Sequence, residues 1–158
     1  MSSDLLRQTL RATIERASPL SRRIFGRRPM DVEEVEFFLS EEKVATLITL
    51  KSDGSPHASI GSFCCSDGRL YFYSNNASAR HHDIIRDSRV AATVVDGWRR
   101  QVILEGEASV VGVVSELTSH VAADSFRKKF GHFAGDRGGS SYVIEVTPKK
   151  IFTYRGKR

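Results

Sequence analysis

Cysteine is scarce in this chain of 158 residues: Cys64 and Cys65 stand side by side, and no second pair exists. That excludes a disulfide framework and a tetrahedral metal site, and it points to a reducing compartment, the cytoplasm. On an alternating strand one of two adjacent thiols faces in and the other out, so a buried structural thiol is the plain reading. Long apolar runs are absent as well. None approaches the roughly 18 residues needed to cross a bilayer, so no membrane partner is expected. Acidic residues are scarce in the first 30 positions, where only Asp4 and Glu15 face seven arginines. This segment carries the whole net charge of +5, because the remaining 17 basic and 17 acidic residues cancel. The basic footprint therefore belongs to a terminal segment and not to a face of the domain, and no nucleic-acid partner is expected.

What is present is the content of one domain, with 40% hydrophobic and 27% charged residues. Residues 1–30 read as a basic N-terminal arm or helix. Ser3 or Asp4 would cap a helix over 3–17, with Leu6, Leu10 and Ile14 at four-residue spacing. Ser18, Pro19 and an Arg-rich stretch ending at Pro29 follow. The segment has no apolar signal-peptide core, so it is expected to be solvated or packed on a partner subunit. Residues 31–158 read as the folded domain. Asp31 caps a second helix with Val32, Val35, Phe38 and Leu39 on one stripe and glutamates in the first turns.

Strand signals then dominate. Val44–Leu50 and Pro56–Cys65 flank the turn Ser52-Asp53-Gly54-Ser55, and Ser66-Asp67-Gly68 leads to the aromatic strand Leu70–Tyr73. Ala77–Asp87 reads as a short helix over a barrel mouth, with Ile84 and Ile85 on one side. Val90–Val95 and Trp98–Val111 are strands about Asp96-Gly97, the second bent at Gly106. Leu117, Val121, Phe126 and Phe130 mark a later helix, followed by a glycine-rich loop. Lys128, Lys129 and His132 close that helix as favourable C-terminal cations or form a flap over an anion. Tyr142–Val146 and Ile151–Tyr154 are expected as two strands broken at Pro148. About six strands with tight turns and few helices exclude an alternating parallel α/β sheet. The fold class is mainly β, a small antiparallel barrel with peripheral helices.

The chemistry is concentrated where the aromatic strand ends, in Tyr73-Ser74-Asn75-Asn76-Ala77-Ser78-Ala79-Arg80. A phosphate needs hydroxyl and N–H donors plus a cation. A helix N-terminus supplies free N–H groups, and Ser74, Ser78 and Arg80 supply the rest. The structural alternative is that Ser78 only caps the helix and Arg80 is a surface cation.

Three ordered segments resemble the FMN-binding split β-barrel family of pyridoxamine 5′-phosphate oxidase, and its small bacterial members overall. They are Asp53-Gly54-Ser55-Pro56, Tyr71-Phe72-Tyr73-Ser74 with Ser78-Ala79-Arg80, and Gln101-Val102-Ile103-Leu104-Glu105-Gly106. The resemblance implies a six-stranded antiparallel split β-barrel, a homodimer whose flavin site is built from both subunits, and a small-molecule substrate. It also implies an FMN-binding oxidoreductase, with a deazaflavin as alternative cofactor. By the same resemblance Ser59, Ile60, Gly61 and Ser62 lie beside the ring, and Tyr73 and Ser74 contact the cofactor. Ser78 and Arg80 hold the phosphate, and Gln101 faces the ring or ribityl chain. Ser59 and Ala79 stand where the oxidase has arginines, and its C-terminal tryptophan and arginine segment is not recognisable. The oxidase activity itself is therefore not expected.

No residue reads as an essential nucleophile or metal ligand, consistent with chemistry carried by the cofactor. His81 and His82 are consecutive on a helix, so their side chains diverge by about 100° and read as a polar face near the cofactor rim. His57 is a third isolated imidazole. The alternative function is a non-catalytic protein that sequesters flavin or haem.

Overall fold

A computed structural model of the chain describes residues 3–157. Buried side chains alternate along the strands Val44–Leu50 and Arg89–Asp96, which gives that part of the sheet a wet face and a dry one. The dry face closes on itself. The six strands are β1 (Val44–Leu50), β2 (Pro56–Ser66), β3 (Arg69–Ser74), β4 (Arg89–Asp96), β5 (Arg100–Val113) and β6 (Tyr142–Arg155). They form a closed antiparallel barrel in the order β1-β2-β3-β6-β5-β4. Leu47, Phe63, Phe72, Val94, Leu104 and Ile144 fill its interior.

One end of the barrel is stopped by α3 (Val32–Glu41), which buries Val35, Phe38 and Leu39. Asp31 caps it as the sequence leads one to expect, in a reciprocal capping box with Glu34. A second apolar layer lies outside the wall, where α5 (Val121–Phe130) covers Cys64, Tyr71 and Val143 with Ala122, Ala123 and Phe126. Each cysteine thus meets a different layer. Cys64 is buried under α5, and Cys65 packs against the barrel interior. Burial pushes both thiols up, that of Cys65 to about 12, so neither is a thiolate at neutral pH.

Several sequence expectations need correction. The first half of the N-terminal segment is not a solvated arm, because α1 (Asp4–Arg16) packs along β6 of its own chain. Leu6 is fully buried there, and the Thr13 hydroxyl accepts the buried N–H of Ile151 at 2.9 Å. The Arg-rich stretch after it contains a short helix, α2 (Pro19–Phe25), capped by Ser18. Pro148 does not break the last strand. It lies opposite Gly106, where the β5–β6 register shifts, and a ladder donor is not needed at such a bulge. Gly106 is required at that point, since a Cβ would lie 2.1 Å from the Thr147 carbonyl oxygen. In α4 (Ala79–Arg86) Ile84 is buried while Ile85 is 67% exposed, as a 100° turn between neighbours dictates.

Candidate functional site

The strand β2 changes partner halfway along its length. Pro56–Ser62 pairs with β1, whereas only Phe63–Ser66 pairs with β3. Each half therefore has one edge without a strand partner among the described residues. Before Phe63 the wall is split between β2 and β3, and after Ser62 it is split between β1 and β2. A half-buried cation occupies each opening.

The first opening is filled from α4. Ser78 caps this helix, its hydroxyl accepting the His81 N–H at 3.3 Å and donating to the Asn75 carbonyl at 2.9 Å. The cap turns Arg80 back between the strands, where its guanidinium donates to the Tyr73 carbonyl oxygen. Across the split it meets Gly61, at which a Cβ would stand 2.8 Å from Nη1. Glycine is what leaves room for the guanidinium. Burial lowers the Arg80 pKa, and among the described residues no carboxylate pairs with it. The guanidinium is thus desolvated and bound to a neutral carbonyl, an arrangement that leaves its charge uncompensated by that partner.

The other sequence-nominated residues are arranged less simply. On β2 Ser59 and Gly61 lie on the inner face, opposite Leu47 and Ala45, while Ile60 and Ser62 lie on the outer face, opposite Thr46 and Val44. The Ser74 hydroxyl does not meet Arg80; it hydrogen-bonds His81 Nδ1 at 2.9 Å. The Tyr73 ring stacks on Phe126 at 4.2 Å and its hydroxyl accepts the Ala134 N–H, so only its carbonyl reaches the cleft. Gln101 sits on the outer face of β5 between Val95 and Tyr154. With β4 and β1 between β5 and β2 on one side and β6 and β3 on the other, it is three strands from β2 either way round the barrel. One chain does not bring Gln101 to the cleft.

The histidines behave differently from a polar rim. His81 is buried, edge-on to Tyr142 at 4.9 Å, and burial followed by the charge of His82 lowers its pKa, so it is neutral at pH 7. A signal for this exists in the sequence: His81 and Ile84 are three apart and share the helix face that turns inward. His57 Nδ1 lies 3.0 Å from Asp83 Oδ2, which also accepts the Thr49 hydroxyl at 2.7 Å. Arg86 holds the other carboxylate oxygen at 2.9 Å. Burial pushes the Asp83 carboxyl up, but hydrogen bonds from Thr49, His57 and Arg86 outweigh it and the net shift is down. This network fastens α4 to β1 and β2; sequence reasoning passed over Asp83 because nothing local distinguishes it from a surface helix acid. Among the described residues no group of three or more His, Cys, Asp or Glu could hold a metal ion, and no helix is long and apolar enough to cross a membrane.

The fold has known counterparts. A conserved hypothetical protein from Mycobacterium tuberculosis superposes with a TM-score of 0.69 at 20% identity, over 81% of this chain and 86% of that one. An F420 reductase gives 0.58 at 19% identity, over 73% of this chain and 94% of its own. The haem storage protein HutZ from Vibrio cholerae gives 0.55 at 12% identity, over 78% and 93%. At these identities the likeness is one of fold. No curated protein matches the sequence. The model of the family described as pyridoxamine 5′-phosphate oxidase matches residues 32–155, from the start of α3 to the end of β6. With the split wall and the α4 cleft inside that span, the chain belongs to the pyridoxamine 5′-phosphate oxidase family.

Proposed function

We propose that this protein is a flavin-dependent oxidoreductase that holds FMN, or a deazaflavin, by its phosphate in the cleft between β2 and β3. The observation that carries the reading is Arg80, a half-buried guanidinium without a carboxylate, facing a glycine across an unpaired strand edge. The residues present fit a phosphate. Ser78 takes the His81 N–H, which leaves those of Ala79 and Arg80 at the positive end of α4 for an incoming oxyanion. The backbone of Pro56–Ser62 has no strand partner on its β3 side among the described residues, so its polar groups there are available to the edge of a planar ring. Ser59 adds a small hydroxyl beside Gly61, where an arginine would compete for the space that Arg80 occupies. The bound flavin supplies hydride or electron transfer to a small-molecule substrate; the protein holds and orients it. A homodimer completes the site, with Gln101 contributed on the outer face. The two free thiols fit a cytoplasmic setting.

A second reading, non-catalytic binding of flavin or haem, is favoured by one observation. Ser59 and Ala79 stand where the oxidase has arginines, so two of its phosphate cations are missing. The same fold serves an F420 reductase and a haem storage protein.

Mass spectrometry of the cofactor released from purified protein, with its visible spectrum, separates the readings. A flavin spectrum that bleaches with reductant and recovers in air supports the oxidoreductase. A Soret band supports haem. Arg80→Ala is expected to weaken FMN binding by one to two orders of magnitude, about 1.5–3 kcal/mol for a charge-assisted hydrogen bond. Unchanged affinity in a fluorescence titration removes Arg80 from the site.

A further inference from the structure

The second opening in the wall, on the β1 side of β2, holds the other half-buried cation. Lys129 reaches from α5 across the edge of Phe63–Ser66, which has no strand partner on the β1 side although the Phe63 N–H donates to the Lys43 carbonyl at 3.4 Å, and its ammonium stands 3.6 Å from the centroid of the Phe63 ring. It donates to the Leu39 carbonyl at the end of α3 at 2.9 Å, and Lys43 donates to the Lys129 carbonyl at 3.2 Å. Beside it opens a cavity of about 740 Å³ lined by Ser40, Lys43, Cys65, Ser125, Lys128 and Lys129 among others. None of the three lysines has a salt-bridge partner, although 11 other arginines and lysines of the described residues do. The two carboxylates in the cavity wall are engaged with α1. Glu36 accepts the Ser3 hydroxyl, and Asp67 accepts the Leu5 N–H at 3.0 Å.

An ammonium has three donors. One of Lys129's goes to Leu39 and one faces the Phe63 ring, which leaves a third for the cavity. Neither partner is an anion, and burial lowers the Lys129 pKa to about 8, outweighing the charge of Glu42, which acts to raise it. The volume lies in the range of small-molecule sites, the serine hydroxyls add neutral donors, and Lys43 and Lys128 are exposed at the rim.

We propose that this cavity is a second, oxyanion-binding site, which takes a small molecule bearing a phosphate or carboxylate on the ammonium of Lys129. It lies on the opposite edge of β2 from the Arg80 cleft, and binding there needs no flavin. Pyrophosphate, titrated into the purified full chain against sodium chloride of matched ionic strength, is the probe. Wild-type protein is expected to gain thermal stability from pyrophosphate. Lys129→Met is expected to need about tenfold more of it for the same gain, and Lys51→Met, at an exposed lysine outside both openings, should respond as wild type does. Equal responses from wild type and Lys129→Met overturn the proposal, as does a response lost in Arg80→Ala and kept in Lys129→Met. If Lys129→Met does not fold, the lysine ε-CH2 resonances of wild-type protein decide. A pyrophosphate-dependent shift confined to Lys129 and its lysine neighbours sustains the site, and an unmoved Lys129 resonance removes it.

Discussion

Gly61 offers the narrowest probe of the cleft. A methyl group there would stand 2.8 Å from Arg80 Nη1 and 3.5 Å from Phe72, and the nearer contact is the far end of a flexible side chain. Gly61→Ala should therefore displace the guanidinium while leaving the barrel intact, at a cost to stability within about 1 kcal/mol. Its FMN affinity is expected to fall about tenfold, measured by flavin fluorescence; an affinity equal to that of wild type would mean that the guanidinium's place against Gly61 has no part in binding. At this scale Arg80 was legible because the residues that aim it, the Ser78 cap and the helix start, are within two positions of it. Lys129 was not. Its place in the sequence is that of an ordinary C-terminal helix cation, and its burial depends on where α5 docks on β2. Tyr73 was legible as an aromatic strand end but not in its packing, which Phe126 and Phe133 impose from 53 and 60 residues away.

Among the elements, α1 shows how a pattern can be right and its destination wrong. The four-residue spacing of Leu6, Leu10 and Ile14 marks a helix with an apolar stripe, but a stripe does not say what it covers. Here α1 packs on β6 of its own chain with Leu6, Thr9 and Thr13 buried and Leu10 and Ile14 only half-buried, and the Leu5 N–H is tied to Asp67 in the β2–β3 turn. Leu6→Ala is expected to lower the stability by about 2–5 kcal/mol, read from urea or thermal unfolding. A solvated arm would show a change within about 0.5 kcal/mol. The bend at Gly106 was legible because glycine inside a strand run is informative by itself. That the same bend lets β6 continue through Pro148 was not, since the two positions are 42 residues apart and meet only in the β5–β6 register.

On the scale of the whole molecule, the outer face of β1, β2 and β4 carries apolar side chains that the chain itself leaves open. Ile60 is 73% exposed, Val95 54% and Val44 52%. Val44 and Ile60 are diagonal neighbours in the β1–β2 register, so the surface is contiguous there. A second copy seated on this face would cover it and stand beside Gln101, which shares the outer face. Light scattering is expected to show a dimer for wild type and a monomer for Ile60→Glu, because a carboxylate at a covered position must be desolvated. A monomeric wild type would remove the homodimer from the proposed site.

The sequence by itself determined the barrel class, the strand and turn order and the helix start that aims Arg80, because alternation, turn chemistry and capping act between residues a few positions apart. Only the tertiary structure decided where the wall splits, and hence which cations are desolvated. Those features depend on which neighbour each half of β2 pairs with and on how α1, α4 and α5 dock, contacts between segments tens of residues apart that no local pattern encodes.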